Sequence, residues 1–349
     1  MGVAVKRAPR ADAVLITGAA GFLGGALARH LVAARRAVSG FDIETATVGV
    51  PSLVVDVRDA AAVRSAVQRS GASTIVHAAA SLPNCSAEHL RAVNVTGTRN
   101  VLDAARASGV ERVVFVSSSA VFPVSGSHRE DDPRTGAGPY AASKAEAEDL
   151  CAEARRLGLA VAVLRVVPVV GPGRLGIFGL LFEWVREGRR IPMIGDGTNR
   201  HQLIDIDDVC TAIERLLDAP VDALEKPFNA GAERTGTVRE DIAALCDHAM
   251  TGARPVATPA RLVTPALAHL HRWGLSPIHH RVFESASVDA TVSTTRLSEL
   301  GWTPRHSSAE ALIRGYRWYI EHRRELDAQG QGHRYVWHSA TLDALRWLF

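Results

Sequence analysis

Lysine is almost missing from this chain of 349 residues. Only Lys6, Lys144 and Lys226 are lysines among 40 basic side chains, so the other 37 are arginines. The basic residues are scattered, and a net charge of +3 is small for this length. Together these exclude a polybasic tract of the kind that grips nucleic acid. Cysteine is scarce as well. Cys85, Cys151, Cys210 and Cys246 lie far apart, with no CxxC pair and no Cys/His cluster at zinc-ligand spacing. That pattern argues against a structural zinc site or a disulfide framework, and implies reduced, partly buried thiols and no bound metal. No apolar stretch approaches the ~20 residues of a membrane span, and the short basic segment 1–12 is not followed by the apolar core of a secretory signal. A cytoplasmic protein without a membrane span is expected.

What is there is an ordinary globular composition, 47% hydrophobic and 22% charged. The length suits one large α/β unit or two joined domains sharing a cleft. The first half alternates short β-rich runs with helical segments, as stacked βαβ units do. Strands are expected at 13–17, 37–43, 53–57, 74–80, 112–118 and 159–167. Helices are expected at 21–35, where Phe22, Leu23, Ala26, Leu27, His30 and Leu31 supply an apolar face, and around 90–107 and 140–157. After Gly171-Pro172-Gly173 the alternation breaks down, and Phe228-Asn229-Ala230-Gly231 reads as a strand returning to the sheet. The expected fold is therefore α/β: a doubly wound parallel (Rossmann) sheet with a smaller, discontinuous C-terminal substrate domain. Residues 1–172, with a returning segment near 200–231, would form the first unit. Residues 173–199 and 232–349 would form the second, including an apolar tail from Gly330 to Phe349 that is expected to dock on the protein itself.

The segment Thr17-Gly18-Ala19-Ala20-Gly21-Phe22-Leu23-Gly24 joins the first strand to the first helix. Glycine permits a tight turn at Gly18, close approach of a pyrophosphate near Gly21, and close helix–strand packing at Gly24. The helix N-terminus then offers free N–H groups and partial positive charge to phosphate. Asp42, 24 residues after Gly18, closes the second strand, where a carboxylate accepts from ribose hydroxyls and repels a 2′-phosphate. NAD is thus favoured over NADP, with Arg35 and Arg36 nearby as the opposing consideration.

Tyr140-Ala141-Ala142-Ser143-Lys144 carries the most information. Tyrosine at i and lysine at i+4 lie one turn apart on a helix face. An ammonium beside a phenol favours phenolate and lowers its pKa from ~10 toward the working range. A phenolate close to a substrate hydroxyl is a competent base for alcohol oxidation. A sequence that uses arginine almost everywhere has kept lysine where a compact ammonium donor is needed. Ser117-Ser118-Ser119 ends the fifth strand at the carboxyl edge, where open α/β sheets bind ligands, so a hydroxyl there can hydrogen-bond the reacting oxygen.

Together these residues resemble the extended short-chain dehydrogenase/reductases, especially their NAD-dependent nucleotide-sugar epimerase/dehydratase branch, from about Val14 to Trp302. TGAAGFLG (17–24) looks like the family's cofactor loop, with Gly18, Ala20, Gly21, Phe22 and Leu23 as contacts. Asp56-Val57 looks like its adenine contact, His77-Ala78-Ala79-Ala80 like the strand lining the cofactor, and Asn94 opens its NxxGTxN helix. RVVPVVGPG (165–173), which holds Val167, is similar to the stretch after the sixth strand. DIDDV (205–209) and LGWTP (300–304) are similar to its later elements. The resemblance implies Tyr140 as base, Lys144 as its partner and holder of the nicotinamide ribose, and Ser118 as the catalytic hydroxyl. It also implies substrate contacts from Ser118, Ser119, Tyr140 and Arg200, and a homodimer through the helices near 90–107 and 140–157.

Three departures stand out. Phe122-Pro123 replaces the usual Tyr-Gly. Ser119-Ala120 stands where the family's 4,6-dehydratases carry Asp-Glu, which argues against dehydration by that pair. Arg200 lies one residue further from Asp207 than the arginine that grips substrate phosphate in many UDP-sugar enzymes. The leading reading is an NAD-dependent epimerase of a nucleotide-linked sugar, oxidising C4 transiently. A net dehydrogenase/reductase of a hydroxysteroid-like or other lipid-like alcohol or ketone is the alternative; the apolar content from Leu262 to Phe283, with Leu267, Leu270, Trp273 and Leu275, is compatible with such a pocket and equally with core packing. A non-catalytic NAD-binding regulator is the third.

Overall fold

A strand segment covered on both faces must be apolar at every position, and the buried run Ala13, Val14, Leu15 and Ile16 of the first strand meets that demand. In the computed structural model, which describes residues 10–46, 49–261, 263–265 and 286–326, β1 spans Arg10–Thr17. Its Val14 and Ile16 enter one apolar cluster and Ala13 and Leu15 another, the period-two alternation of a pleated strand. Around it lie β2 (Ala37–Asp42), β3 (Ser52–Val54), β4 (Ala72–His77), β5 (Arg112–Ser118), β6 (Gly126–His128), β7 (Ala160–Val166), β8 (Val169–Val170), β9 (Arg190–Ile194), β10 (Ile204–Asp205), β11 (Phe228–Ala230), β12 (Arg254–Thr258) and β13 (Ala290–Val292). Seven of them form one sheet in the order β11-β7-β5-β4-β1-β2-β3. Every pairing within it is parallel. The order reverses between β1 and β4, which opens a crevice at the carboxyl ends of those two strands.

Helices cover both faces. They are α1 (Phe22–Ala33), α2 (Ala60–Ser70), α3 (Ala87–Arg91), α4 (Gly97–Ser108), α5 (Pro139–Arg156), α6 (Ile177–Arg186), α7 (Ile206–Asp218) and α8 (Val238–Ala249). Leu27 and Leu31 of α1 join Val209, Ile213 and Leu216 of α7 on one face. Val63 and Val67 of α2, Val101 and Leu102 of α4, and Leu150 and Cys151 of α5 cover the other. Phe41, Phe115, Phe122 and Phe228 are among the largest fully buried side chains, each contributing roughly 1.5–3 kcal/mol by burial. A third cluster unites Phe182 and Val185 of α6, Ile191 of β9, Leu245 of α8, and Leu312 and Tyr316 of the helix Ser308–Leu326.

The structure corrects several boundaries. The fourth strand stops at His77 rather than Ala80, because Ala78 and Ala79 turn their N–H groups onto the carbonyl and hydroxyl of Thr17. The third ends at Val54, since the chain then turns with the Asp59 N–H bonding the Asp56 carbonyl. Helix α2, which the sequence reading did not include, is capped by the Asp59 carboxylate on the N–H groups of Ala61 and Ala62. Outside the main sheet, β6 pairs with β13, β8 with β10 and β9 with β12, each in parallel. The segment of Leu267, Leu270, Trp273 and Leu275, and the tail 330–349, lie outside the described residues.

Candidate active site

The glycine loop sits at the crevice because three backbones crowd one another there. Gly18 has φ +74° and donates its N–H to the Phe41 carbonyl at 2.9 Å. A Cβ on Gly18 would stand 2.8 Å from the Ala79 backbone, and one on Gly24 only 2.0 Å from the Gly18 oxygen. Only glycine permits either approach. The turn closes through Gly21 N–H on the Gly18 oxygen at 3.0 Å, so α1 begins with its N-terminus facing the crevice. Asp42, at the end of β2, accepts the Ala20 N–H at 2.9 Å and the Ile43 N–H at 2.7 Å. Each carboxylate oxygen retains capacity for a ribose hydroxyl. Arg36 is turned away from it, bonded to Asp218 of α7 at 2.6 Å. Asp56 is clasped by Arg58, whose hydrogen bonds hold its carboxyl below the ordinary range. The carbonyl of Val57 accepts from Asn100 at 2.9 Å.

Behind the loop runs a buried polar chain. The Thr98 hydroxyl donates to the Asn94 carbonyl at 2.6 Å, so it accepts from His77 Nε2 at 3.0 Å. His77 Nδ1 must then accept from the Thr17 hydroxyl at 2.7 Å, while Thr17 Oγ1 accepts the Ala79 N–H at 3.1 Å. This assigns a neutral Nε2–H tautomer. Burial, with the positive Lys144 adding to it, pushes the His77 pKa down to about 3. Asn94 lies in a single π-helical turn, Ala92–Thr96. It accepts the Ser81 N–H at 2.8 Å and donates to Ser143 Oγ at 3.0 Å, and Ser143 donates to the Tyr140 carbonyl at 2.8 Å. The chain from β1 thereby reaches the first turn of α5.

Tyr140 is the second residue of that 18-residue helix, directly after Pro139 at its start. The positive end of the helix dipole favours phenolate there. Lys144, one turn on, is buried; its Nζ donates to the Val116 carbonyl at 3.0 Å and lies 5.0 Å from the Phe115 ring centroid. Burial lowers its pKa to about 8, and Glu148, a turn further along, opposes that shift. Glu148 is buried against Arg165 at 2.7 Å and accepts the Ser117 hydroxyl at 2.6 Å. Arg165 also donates to the Glu130 carbonyl at 2.9 Å. At the end of β5, Ser118 Oγ accepts the Ala120 N–H at 3.1 Å and keeps its own proton to donate. Ser119 opens the 3₁₀ turn that follows.

The structure thus gathers Gly18, Ala20, Gly21, Phe22, Leu23, Ala78, Ala79, Ala80, Asn94, Ser118, Tyr140 and Lys144 at one edge of the sheet. Val167 is buried just beyond β7, bonded to the Ala230 carbonyl at 3.1 Å. Arg200 stands apart. It is exposed, its N–H is bonded to Asp289 at 2.7 Å, and its charge bears on Glu240 in the cap of α8. The sequence reading missed the Ser117–Glu148–Arg165 group, Gln202 and Arg174. Polar residues inside apolar strands were the available signal for the first.

The model of the NAD dependent epimerase/dehydratase family matches residues 14–231. The chain belongs to that family. It is an extended short-chain dehydrogenase/reductase, and its cofactor is NAD. Among relatives of this epimerase/dehydratase-family enzyme, the uncharacterized protein y4nG of Sinorhizobium fredii is 33% identical over 90% of this chain and 81% of that protein. The dTDP-glucose 4,6-dehydratase of Streptomyces antibioticus is 29% identical over 89% and 93%. Of solved structures, MoeE5 in complex with UDP-glucose and NAD superposes with TM-score 0.71 at 27% identity, covering 90% of this chain and 99% of its own. MoeE5 has also been solved with UDP-glucuronic acid and NAD.

NAD fits this enzyme's residues by the donors they offer: α1 starts at Gly21 with no side chain capping its first N–H groups, and the Asp42 carboxylate stands beside them on the Ala20 N–H. The loop and the α1 N-terminus would take its pyrophosphate, Asp42 its adenosine ribose, and Lys144 its nicotinamide ribose. No helix among the described residues is long and apolar enough to cross a membrane.

Proposed function

We propose that this enzyme epimerises a nucleoside-diphosphate sugar by transient oxidation, at C4. The observation that carries the reading is Tyr140 in the first turn of α5 with a buried ammonium one turn behind it. Tyr140 Oη, as phenolate, accepts the proton of the sugar hydroxyl and later returns it. The Ser118 hydroxyl donates to the same oxygen and steadies it as it becomes a carbonyl. Lys144 keeps the phenol acidic through its charge, and its fixed bond to Val116 stops it from rotating away. NAD, when bound, would supply a reversible hydride acceptor, so that product would form with no net redox change. Dehydration needs a further acid and base beside the ketone, and Ser119 and Ala120 provide neither. That supports epimerisation over the reaction of the dehydratase relatives.

The test is incubation of purified, NAD-loaded protein with a panel of nucleotide sugars, followed by NMR of the sugar products. Interconversion of C4 epimers without accumulation of NADH is expected. Loss of water, or NADH formed in step with product, would overturn the reading. Tyr140→Phe should lower turnover by about 10³-fold while NAD affinity changes less than about threefold; unaltered turnover would remove Tyr140 as the base. We further infer a homodimer through α4 and α5, to be checked by sedimentation.

A further inference from the structure

Glu148 is a buried carboxylate that none of the proposed steps uses. It stands one helical turn after Lys144 on α5, so the two side chains share a face, and both are buried. Three other parts of the chain fix the carboxylate. The Ser117 hydroxyl of β5 donates to it at 2.6 Å, and the Arg165 fork of β7 donates at 2.9 and 2.7 Å. Arg134, in the loop before α5, lies 3.5 Å away. Lys144 is fixed in turn by its bond to the carbonyl of Val116, the residue before Ser117. Glu148 and Lys144 are thus anchored to neighbouring residues of one strand, directly before Ser118.

A lysine removed from water loses its proton easily, and a carboxylate held beside it in a medium of low dielectric opposes that loss far more than an exposed one would. The other groups around the ammonium do not take this part. His77 of β4 is neutral, and burial pushes the Cys151 thiol of α5 up, so it is neutral too. Arg165 and Arg134 are cations committed to Glu148. Arg174, 5.5 Å from the Phe22 ring centroid, is a further cation whose charge bears on Tyr140. We propose that Glu148 is a positioning residue that keeps Lys144 charged at neutral pH and so acts on Tyr140 through it. Ser117 and Arg165 then do more than tie sheet to helix, because their bonds hold the carboxylate ionised. The proposal rests on the reading of Tyr140 as base for its consequence in turnover, but the charge of Lys144 is measurable without any substrate.

The scarcity of lysine makes the measurement direct. NMR of NAD-loaded protein isotopically labelled at lysine Cε gives one signal each for Lys6, Lys144 and Lys226, and Lys144→Met assigns that of Lys144. The variants are Glu148→Gln and the double variant Glu148→Gln/Arg165→Met. The second removes both charges of the buried pair and so strands no arginine. In wild type Lys144 should titrate near 8. In both variants it should titrate lower by at least about one pH unit, because the charge that favours the ammonium is gone. Turnover at neutral pH should fall about 10-fold or more while NAD retention stays as in wild type. A purely structural tie predicts otherwise: Glu148→Gln would lose stability, the double variant would regain it, and Lys144 would titrate as in wild type. That result would overturn the proposal, and the double variant decides alone if Glu148→Gln does not fold. A lowered titration in protein that interconverts no sugar would sink the epimerase reading and leave the role of Glu148 standing. An unmoved titration in a working epimerase would do the reverse.

Discussion

The cofactor side of the crevice and the side where we place the substrate are both held by polar contacts, but these are assembled over different distances along the chain. On the cofactor side, Thr17 reaches His77 across 60 residues and Asn94 reaches Ser81 across 13. On the substrate side, Asn199 reaches Val288 across 89 and Arg296 reaches Glu130 across 166. The first set is formed within successive βαβ units, each of which packs largely with its neighbour. The second joins segments from the far end of the chain to residues 89 and 166 positions earlier. Damage on the cofactor side should therefore remove NAD binding, and damage on the substrate side should spare it.

The largest effect belongs to Gly24→Ala. The new Cβ would stand 2.0 Å from the Gly18 oxygen, so the loop must open or α1 must shift. A loss of about 3 kcal/mol in urea unfolding is expected, together with loss of bound NAD. A variant that retains NAD and wild-type stability would refute the close-packing account of the cradle.

Lys144→Met sharpens the comparison through pH. The folded lysine titrates near 8 against ~10.5 unfolded, so its charge weakens the fold at neutral pH. Between those values the unfolded chain holds a proton that the folded chain lacks, so wild-type stability from this group rises with pH. The apo variant should be more stable than wild type at pH 7 by about 1–3 kcal/mol, with the gap narrowing as pH climbs past 8. Turnover should nonetheless fall by about 10²-fold or more. A gap that stays constant from pH 7 to 10 would show that Lys144 is not destabilised by burial.

These two positions also show why parts of the molecule were legible in sequence. The glycine spacing and the Tyr140–Lys144 spacing are local rules, because each is enforced by one turn or one helical repeat. The first, fifth and returning strands were readable for the same reason, as short apolar runs bounded by turns. Helix α2 was hidden because its buried face is narrow, only Val63, Ala66 and Val67. The end of the fourth strand was misplaced because Ala78 to Ala80 are as apolar as a strand, and the Thr17 hydroxyl that ends it lies 62 residues away. Arg174 among 37 arginines carried no signal of its own; the Phe22 ring that positions it is 152 residues earlier.

Gln202 is the substrate-side counterpart of Gly24. Buried beside Gly231, it donates to the Ala232 carbonyl at 2.7 Å and accepts the Val292 N–H at 2.7 Å. One side chain thus joins the segment after β11 to β13. Gln202→Ala leaves both backbone groups without that partner and should cost about 2 kcal/mol. Nucleotide-sugar KM should rise while NAD retention stays as in wild type. If NAD is lost along with sugar binding, the two sides are not separable and the comparison breaks.

Arg36→Ala should do least. Its guanidinium is bonded to Asp218, which is half exposed, so water and salt screen the pair. A loss of less than about 1 kcal/mol is expected. The variant matters for cofactor choice rather than stability, because Arg36 is, with Arg35, one of the two nearby cations that oppose the preference set by Asp42. With the side chain held on α7, its removal should leave the preference for NAD over NADP unchanged. A shift of several-fold in that ratio, read by fluorescence titration of both cofactors, would show that the pair with Asp218 opens in solution and that Asp42 alone does not set the choice.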